Sequence, residues 1–276
     1  GAPVKGVRAD LRLVELGLCE SREKARAVIM SGRAYLGETR VEKPGQNVPE
    51  DCLIELRGEE NPFVSRGGLK LEKALSKYGV DLAGAVCADV GASTGGFTDC
   101  MLRRGAAKVY AIDVGYGQLD WKLRSDPRVA VMERTNARFM EPAWFAGPLD
   151  FASTDVSFIS VRLILPGIYA CLREGAQSVV LVKPQFEAGK GKVGKNGVVR
   201  DPALHVQVLC DAARFADSLG FASEAMDYSP IRGPKGNIEF LLLLRKSGAI
   251  DPDAAADIEA RARRVVCEAH EAHNGA

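Results

Sequence analysis

Two lysines and two carboxylates, Lys70, Asp155, Lys183 and Glu239, stand far apart in this chain. Each falls at the edge of a predicted strand or the start of a predicted helix. A glycine-rich turn, Asp89-Val-Gly-Ala-Ser-Thr-Gly-Gly-Phe97, lies between the first and second of them. Such a set beside a nucleotide-type turn suits proton removal from an unreactive hydroxyl. A lysine squeezed between cations and partly desolvated loses enough proton affinity to act as a base. Lys183 is expected in that role, with Asp155 and Glu239 orienting it and Lys70 and balancing their charge. Singly, each of the four reads as a member of a surface ion pair; the set, gathered on one rim, argues for chemistry.

The elements that must gather them begin at Ser65. Helical spacing covers Leu69 to Tyr78 and closes at Gly79. Strand patterns follow at Val86–Val90, Lys108–Asp113, Arg128–Met132, Leu149–Ser153 and Ser178–Val182, then at Ser223–Tyr228 and from Glu239 to Leu244. Helices are expected around Thr98–Arg104, Val161–Leu172 and Pro202–Leu219, with a last one over Ala254–His270. Such alternation predicts an α/β fold with a doubly wound, Rossmann-like parallel sheet. Only the loop Ser229–Asn237 separates the last two strands, too short for a crossover helix, so an antiparallel hairpin is expected at the sheet edge. A parallel sheet with one reversed final strand is the pattern of S-adenosylmethionine-dependent methyltransferases. Ligands of such sheets sit at the carboxyl ends of the strands. Asp155 and Lys183 lie just past the fourth and fifth strands. Glu239 opens the reversed strand at the same rim, and Lys70 begins the helix before the first strand.

The turn Gly91-Ala92-Ser93-Thr94-Gly95-Gly96-Phe97 lacks full dinucleotide spacing, and alone it is equally a plain tight turn. Asp113, 24 residues after Asp89, closes the next strand and can accept both hydroxyls of a ribose. A rival phosphate loop, Gly189-Lys-Gly-Lys-Val-Gly-Lys195, has Asn196 where a Ser or Thr should hold Mg²⁺, and no helix begins there. A mobile basic loop over the substrate is the expectation for that segment.

Residues 1–57 read as a small α+β domain, 58–64 as a linker and 65–276 as the larger domain. Ser21 starts a helix that Gly32 ends, and short strands are expected at Ala34–Leu36, Thr39–Val41 and Cys52–Leu56. The net charge of +1 leaves any nucleic-acid footprint local, at Arg66–Lys77 or Lys190–Arg200. Both read equally as solvated surface. Seven dispersed cysteines without a C-x-x-C pair read as reduced thiols of a cytoplasmic protein, and three histidines argue against a metal site. No apolar run reaches membrane-spanning length and no secretion signal is legible.

The stretch from Arg8 through Ser21-Arg22, Gly32-Arg33 and Lys43-Pro-Gly45 resembles an RNA-binding module first seen in a ribosomal protein. That resemblance implies phosphate contacts from Arg8, Arg22, Lys24, Arg26 and Arg33, with Arg66 nearby. Farther on, Ser65-Arg-Gly-Gly-Leu-Lys70, the glycine turn, Asp113-Val-Gly-Tyr-Gly-Gln-Leu119 and Glu133-Arg-Thr-Asn-Ala-Arg138 are similar to the TlyA family. So are Asp155-Val-Ser-Phe-Ile-Ser160, Val182-Lys-Pro-Gln-Phe-Glu187 and Gly236-Asn-Ile-Glu239. The family joins this module to an FtsJ-type methyltransferase domain. It implies methyl transfer from S-adenosylmethionine to ribose 2′-oxygens of cytidines in ribosomal RNA, as free RNA or ribosomal subunits. The implied tetrad is Lys70, Asp155, Lys183 and Glu239, and the implied cofactor contacts are Gly91 to Phe97, Asp113 and Asn136. The family also carries a haemolysin label; the amphipathic stretch Ile258–His270 is better explained by core packing than by a membrane. The other class of function is a non-catalytic RNA-binding or ribosome-assembly factor, against which the intact tetrad and turn argue.

Overall fold

The computed structural model describes residues 5–58, 63–189, 191–248 and 252–274, with the side chains of 252–256 excepted. The chain divides into two compact units, Gly1–Arg66 and Gly67–Ala276. Residues 59–62 of the expected linker and Lys190 of the basic segment lie outside the described residues.

The first unit runs β1 (Gly6–Arg8), α1 (Ala9–Glu15), α2 (Arg22–Met30), β2 (Ala34–Leu36), β3 (Thr39–Arg40), β4 (Asn47–Pro49) and β5 (Glu55–Leu56). Strands β1 and β4 pair antiparallel, and β2 pairs with both β3 and β5. Ser21 Oγ accepts from the Lys24 amide at 3.2 Å and so starts α2. Ala9, Leu13, Ala25, Ile29, Val41, Val48 and Ile54 form its core. Two short strands, β1 and β4, have no alternating pattern in the sequence, and the strand expected at Cys52–Leu56 shrinks to β5.

The second unit contains α3 (Gly67–Lys77), β6 (Val86–Val90), α4 (Gly96–Arg103), β7 (Lys108–Ile112), α5 (Trp121–Arg124) and β8 (Val129–Met132). Then come β9 (Leu149–Thr154), α6 (Leu165–Cys171), β10 (Leu172–Val182), α7 (Pro184–Glu187), α8 (Pro202–Leu219), β11 (Phe221–Tyr228), β12 (Phe240–Lys246) and α9 (Pro252–Asn274). The seven strands lie in the order β11-β12-β10-β9-β6-β7-β8. β12 is antiparallel to both β10 and β11, whereas the pairs β10–β9, β9–β6, β6–β7 and β7–β8 are parallel. The reversed strand therefore lies inside the sheet, one place in from the edge, and β11 forms the edge. Its run Phe240-Leu-Leu-Leu-Leu244 is buried throughout, as a strand covered on both faces requires. Asp201 caps α8 by accepting from the Ala203 amide, Pro202 occupies its first turn, and Gly220 ends it in the left-handed region.

Candidate active site

The sheet brings the four expected residues together. Asp155 follows β9 directly, Lys183 follows β10, Glu239 precedes β12 by one residue, and Lys70 sits in the first turn of α3. Lys70 Nζ lies 3.1 Å from Glu239 Oε1 and 3.7 Å from Asp155 Oδ2. Lys183 Nζ lies 2.5 Å from Asp155 Oδ1 and donates to Ser157 Oγ at 3.1 Å. Asp155 thus bridges the two lysine side chains. Glu239 is 0% exposed, and its second oxygen accepts from Gln185 Nε2 at 2.9 Å. Burial opposes the charge of Lys70, but Asp155 and Glu239 outweigh it and hold its pKa above the ordinary lysine value. Lys183 was expected between cations with Asp155 orienting it; Asp155 is its charged neighbour, and the other lysine stands on that carboxylate's far oxygen.

Backbone geometry explains why these loops meet. Gly91 follows β6 with φ of +86°, and a Cβ there would stand 2.3 Å from the Asp155 carbonyl oxygen. Only glycine lets the first turn lie against the Asp155 loop. Glu187 accepts from Ser160 Oγ at 2.7 Å and from the Val161 amide at 2.8 Å, tying the Asp155 loop to α7. Between these anchors Phe158 takes φ of +63°, a strained conformation for an aromatic residue. Its side chain is 90% exposed, and its ring packs 4.9 Å from that of Phe186, just after Lys183.

Beside the tetrad, a depression is lined by Ala92, Ser93, Asp113, Tyr116, Gln118, Leu119 and Glu133. Asp113 accepts from the Gly115 amide at 3.1 Å and from the Ser93 amide at 3.4 Å. Its carboxylate therefore shapes both walls while facing the hollow. Glu133 accepts from the Gly117 amide at 2.6 Å and pairs with Arg124. Gly95, with φ of +101°, leaves room for Leu119 and Leu123, which a Cβ would strike. A nucleoside fits this chemistry: small and apolar walls for a base, and a strand-end carboxylate for ribose hydroxyls. Glu133, Gln118 and Tyr116 were not singled out as site residues; their places beside the Asp113 loop were the available signal. Asn136 stands outside that lining and caps a short turn by accepting from the Arg138 amide. Beneath the turn, Asp89 is wholly buried, accepts from Thr98 Oγ1 at 2.7 Å, and is pushed up to about 7 by burial.

Of the residues expected to meet RNA, Arg8 and Arg22 are exposed but also clamp buried Asp10, at 3.0 and 3.1 Å. Lys24 pairs with Glu20 at 2.5 Å, and Arg33 donates to the Gly58 carbonyl. Arg26 and Arg66 are exposed. All six lie in the first unit. Three of the four cations in the basic run Arg66–Lys77 pair with carboxylates of the second unit. Lys70 serves the tetrad, while Lys73 and Lys77 both reach the buried carboxylate of Asp227, at 3.4 and 3.0 Å. On the second run, Lys192, Lys195 and Arg200 are exposed.

Residues 63–246 match the model of the FtsJ-like methyltransferases, and residues 7–51 match that of the S4 domain. The chain is 50% identical over 267 residues to a candidate rRNA methyltransferase, YqxC, of Bacillus subtilis, covering 96% of this chain and 95% of that protein. It is 46% identical to the 16S/23S rRNA (cytidine-2′-O)-methyltransferase TlyA of Mycobacterium tuberculosis, over 86% of this chain and 89% of that one. Among solved structures, a candidate hemolysin from Streptococcus thermophilus superposes with a TM-score of 0.77 at 45% identity, covering 98% of both chains. Among the described residues, no helix is long and apolar enough to cross a membrane.

Proposed function

The chain belongs to the TlyA family of FtsJ-like methyltransferases carrying an S4 domain, and from that premise we propose that it methylates ribose 2′-hydroxyls of ribosomal RNA. The observation that carries this reading is the pairing of Lys70, Asp155, Lys183 and Glu239 at the carboxyl ends of β9 and β10. When bound in the depression beside Asp113, S-adenosylmethionine supplies an electrophilic sulfonium methyl group. The chain's own task is to align a weak nucleophile with that carbon and to receive its proton.

The two lysines divide this work. Lys70 is held as an ammonium by Glu239 and Asp155 and orients the ribose by donating hydrogen bonds. Lys183, in its neutral form, accepts the 2′-hydroxyl proton as the oxygen–carbon bond forms and the methyl carbon–sulfur bond breaks. Asp155, 2.5 Å away, then stabilises the resulting ammonium. The turn from Gly91 to Phe97 and the Asp113 carboxylate hold the nucleoside part of the cofactor. Exposed Phe158, propped on Phe186, offers a stacking surface for a base of the substrate strand. Arg8, Arg22, Lys24, Arg26, Arg33 and Arg66 serve as phosphate contacts of the first unit. Both arginines on Asp10 keep free N–H groups on an exposed side chain, so clamping and phosphate binding are compatible. Ribosomal RNA as substrate implies a cytoplasmic setting.

The test is incubation with methyl-labelled S-adenosylmethionine and ribosomal subunits lacking the modification, followed by mapping of the label. Label on a cytidine 2′-oxygen, abolished in Lys183→Ala with cofactor affinity unchanged, is the expected result. Cofactor binding without label on any ribosomal particle would reject ribosomal RNA as substrate. No cofactor binding at all would leave an RNA-binding factor without catalysis.

A further inference from the structure

Two of the chain's three histidines, His205 and His270, meet at one place outside the tetrad. His205 is fully buried on α8. Its Nε2 stands 2.9 Å from the Val199 carbonyl, which can only accept, so Nε2 carries the hydrogen and Nδ1 is an acceptor. His270 Nε2, on α9, lies 2.9 Å from that Nδ1 and must donate to it. His270 Nδ1 is thereby an acceptor and faces the Asn274 amide nitrogen at 3.1 Å. Asn274 Oδ1 accepts from Arg232 at 2.9 Å. The chain of donors runs one way, from Arg232 through Asn274, His270 and His205 to Val199. With both rings neutral, every ring nitrogen of the two inner histidines is satisfied.

Val199 is held from its other side as well. Its amide donates to Asn237 Oδ1 at 3.0 Å, while Asn237 Nδ2 donates to the Gly197 and Pro234 carbonyls, both at 3.0 Å. Asn237 is buried and stands two residues before Glu239. The segment carrying exposed Lys192, Lys195 and Arg200 thus leaves Lys183 through α7 and is pinned at Val199 beside the approach to Glu239. We propose that His205, His270 and Asn237 are positioning residues that fix this basic segment in the shape that receives the RNA backbone beside the tetrad. The proposal rests on the RNA methyltransferase reading.

It carries a pH signature. A second proton on either inner histidine would set one N–H against another and break the chain. His205 also faces Asp201 at the start of its own helix and the ring of Phe240 on β12. His270 faces His273 on its own helix and Arg232 on the loop between β11 and β12. Burial foremost, then the neighbouring cations and rings, keeps both histidines below the ordinary histidine value. The depressed pair remains neutral where unfolded histidine has begun to protonate. Its contribution is therefore complete above about pH 6.5 and is lost as pH falls below that through the folded values.

The experiment is steady-state methyl transfer to ribosomal subunits from pH 8 to pH 5.5, with cofactor affinity measured in parallel. The wild type should show KM for RNA rising at the acid end of that range, as pH falls through the depressed folded values, with cofactor affinity unchanged. His270→Ala should raise KM at pH 8 by about fivefold to tenfold, the range a lost hydrogen bond commonly carries, with kcat little changed. His270→Gln can still donate to His205 and accept from Asn274 but cannot titrate. It should keep the wild-type KM at pH 8, and any acid rise left in it is that of His205 alone. A wild-type KM in His270→Ala at pH 8, or a KM in His270→Gln at pH 8 raised as far as in His270→Ala, overturns the proposal. Absence of transfer by the wild type at every pH would instead refute the methyltransferase reading, and this inference with it.

Discussion

Replacing Glu239 by Gln removes one charge from the tetrad and little else. Glu239 is wholly buried, and its two oxygens serve Lys70 at 3.1 Å and Gln185 at 2.9 Å. Gln185 Oε1 is buried without a hydrogen-bond partner. A flip of the Gln185 amide therefore restores its bond to the new side chain, and the remaining loss is electrostatic. Lys70 keeps only Asp155 at 3.7 Å, which already holds Lys183 at 2.5 Å. Two lysines then share one carboxylate in a mostly buried site. Removing one partner of a buried pair costs about 3–5 kcal/mol. The residual pull of Asp155 puts the expected loss at the low end, about 3 kcal/mol. In a unit of this size that lowers the melting temperature by roughly 6–12 °C. Trp121 and Trp144, the two tryptophans of the chain, both lie in the second unit, so tryptophan fluorescence during urea unfolding reports that unit alone. Adding Lys70→Met removes the stranded cation, so the second change should cost less than about 1 kcal/mol, with strong coupling in the cycle. A loss under about 1 kcal/mol for Glu239→Gln, or additive costs in the double variant, would refute the argument that Glu239 is there to balance Lys70.

Three further outcomes follow from other parts of the structure. Phe158→Ala should lower kcat/KM for RNA by roughly tenfold or more, the usual worth of a stacked base, with cofactor affinity intact; an unchanged kcat/KM would remove Phe158 from substrate binding. Arg8 foremost holds Asp10 down to about 2, so its stabilisation is present above the usual carboxylate pKa and is lost as pH falls toward 2. After discounting for exposed arginine partners, Asp10→Asn should cost the first unit about 1–2 kcal/mol at pH 7, read by hydrogen exchange of its β1 and β4 amides. Asp89 has the opposite sign. Burial raises it to about 7, so the folded state favours the protonated acid, and its contribution fades as pH rises through 7. Asp89→Asn should flatten that part of the stability curve between pH 5 and pH 8, measured by calorimetry.

Much of the site was legible because strand ends are legible. Asp155 and Lys183 each follow an apolar run that can only be a buried strand, and a parallel sheet brings such ends to one rim. Glu239 followed once a reversed last strand was inferred. Lateral order was not legible: the short loop Ser229–Asn237 dictates a hairpin, but says nothing of which member lies outside. The structure inserts β12 between β10 and β11. Nor could charge counting separate Lys73 and Lys77 from an RNA-binding surface, since their partner Asp227 lies about 150 residues away, on β11. Asp155 was expected to orient Lys183 and stands beside it; Lys70 lies on the far oxygen of that carboxylate rather than against Lys183. The depression around Glu133 depends on one loop folding over another, a relation no local pattern encodes.

The place of β12 bears on how the protein comes into being. During synthesis the chain emerges from its amino end, and β11 has only one neighbour, β12. Until residue 246 is free, β10 has a bare hydrogen-bonding edge and β11 has nothing to pair with. Glu239, at the base of that same strand, is also the last of the four charged groups to arrive. Closure of the sheet and completion of the site are thus a single late event, and a nascent chain released before it would be both inactive and prone to aggregate.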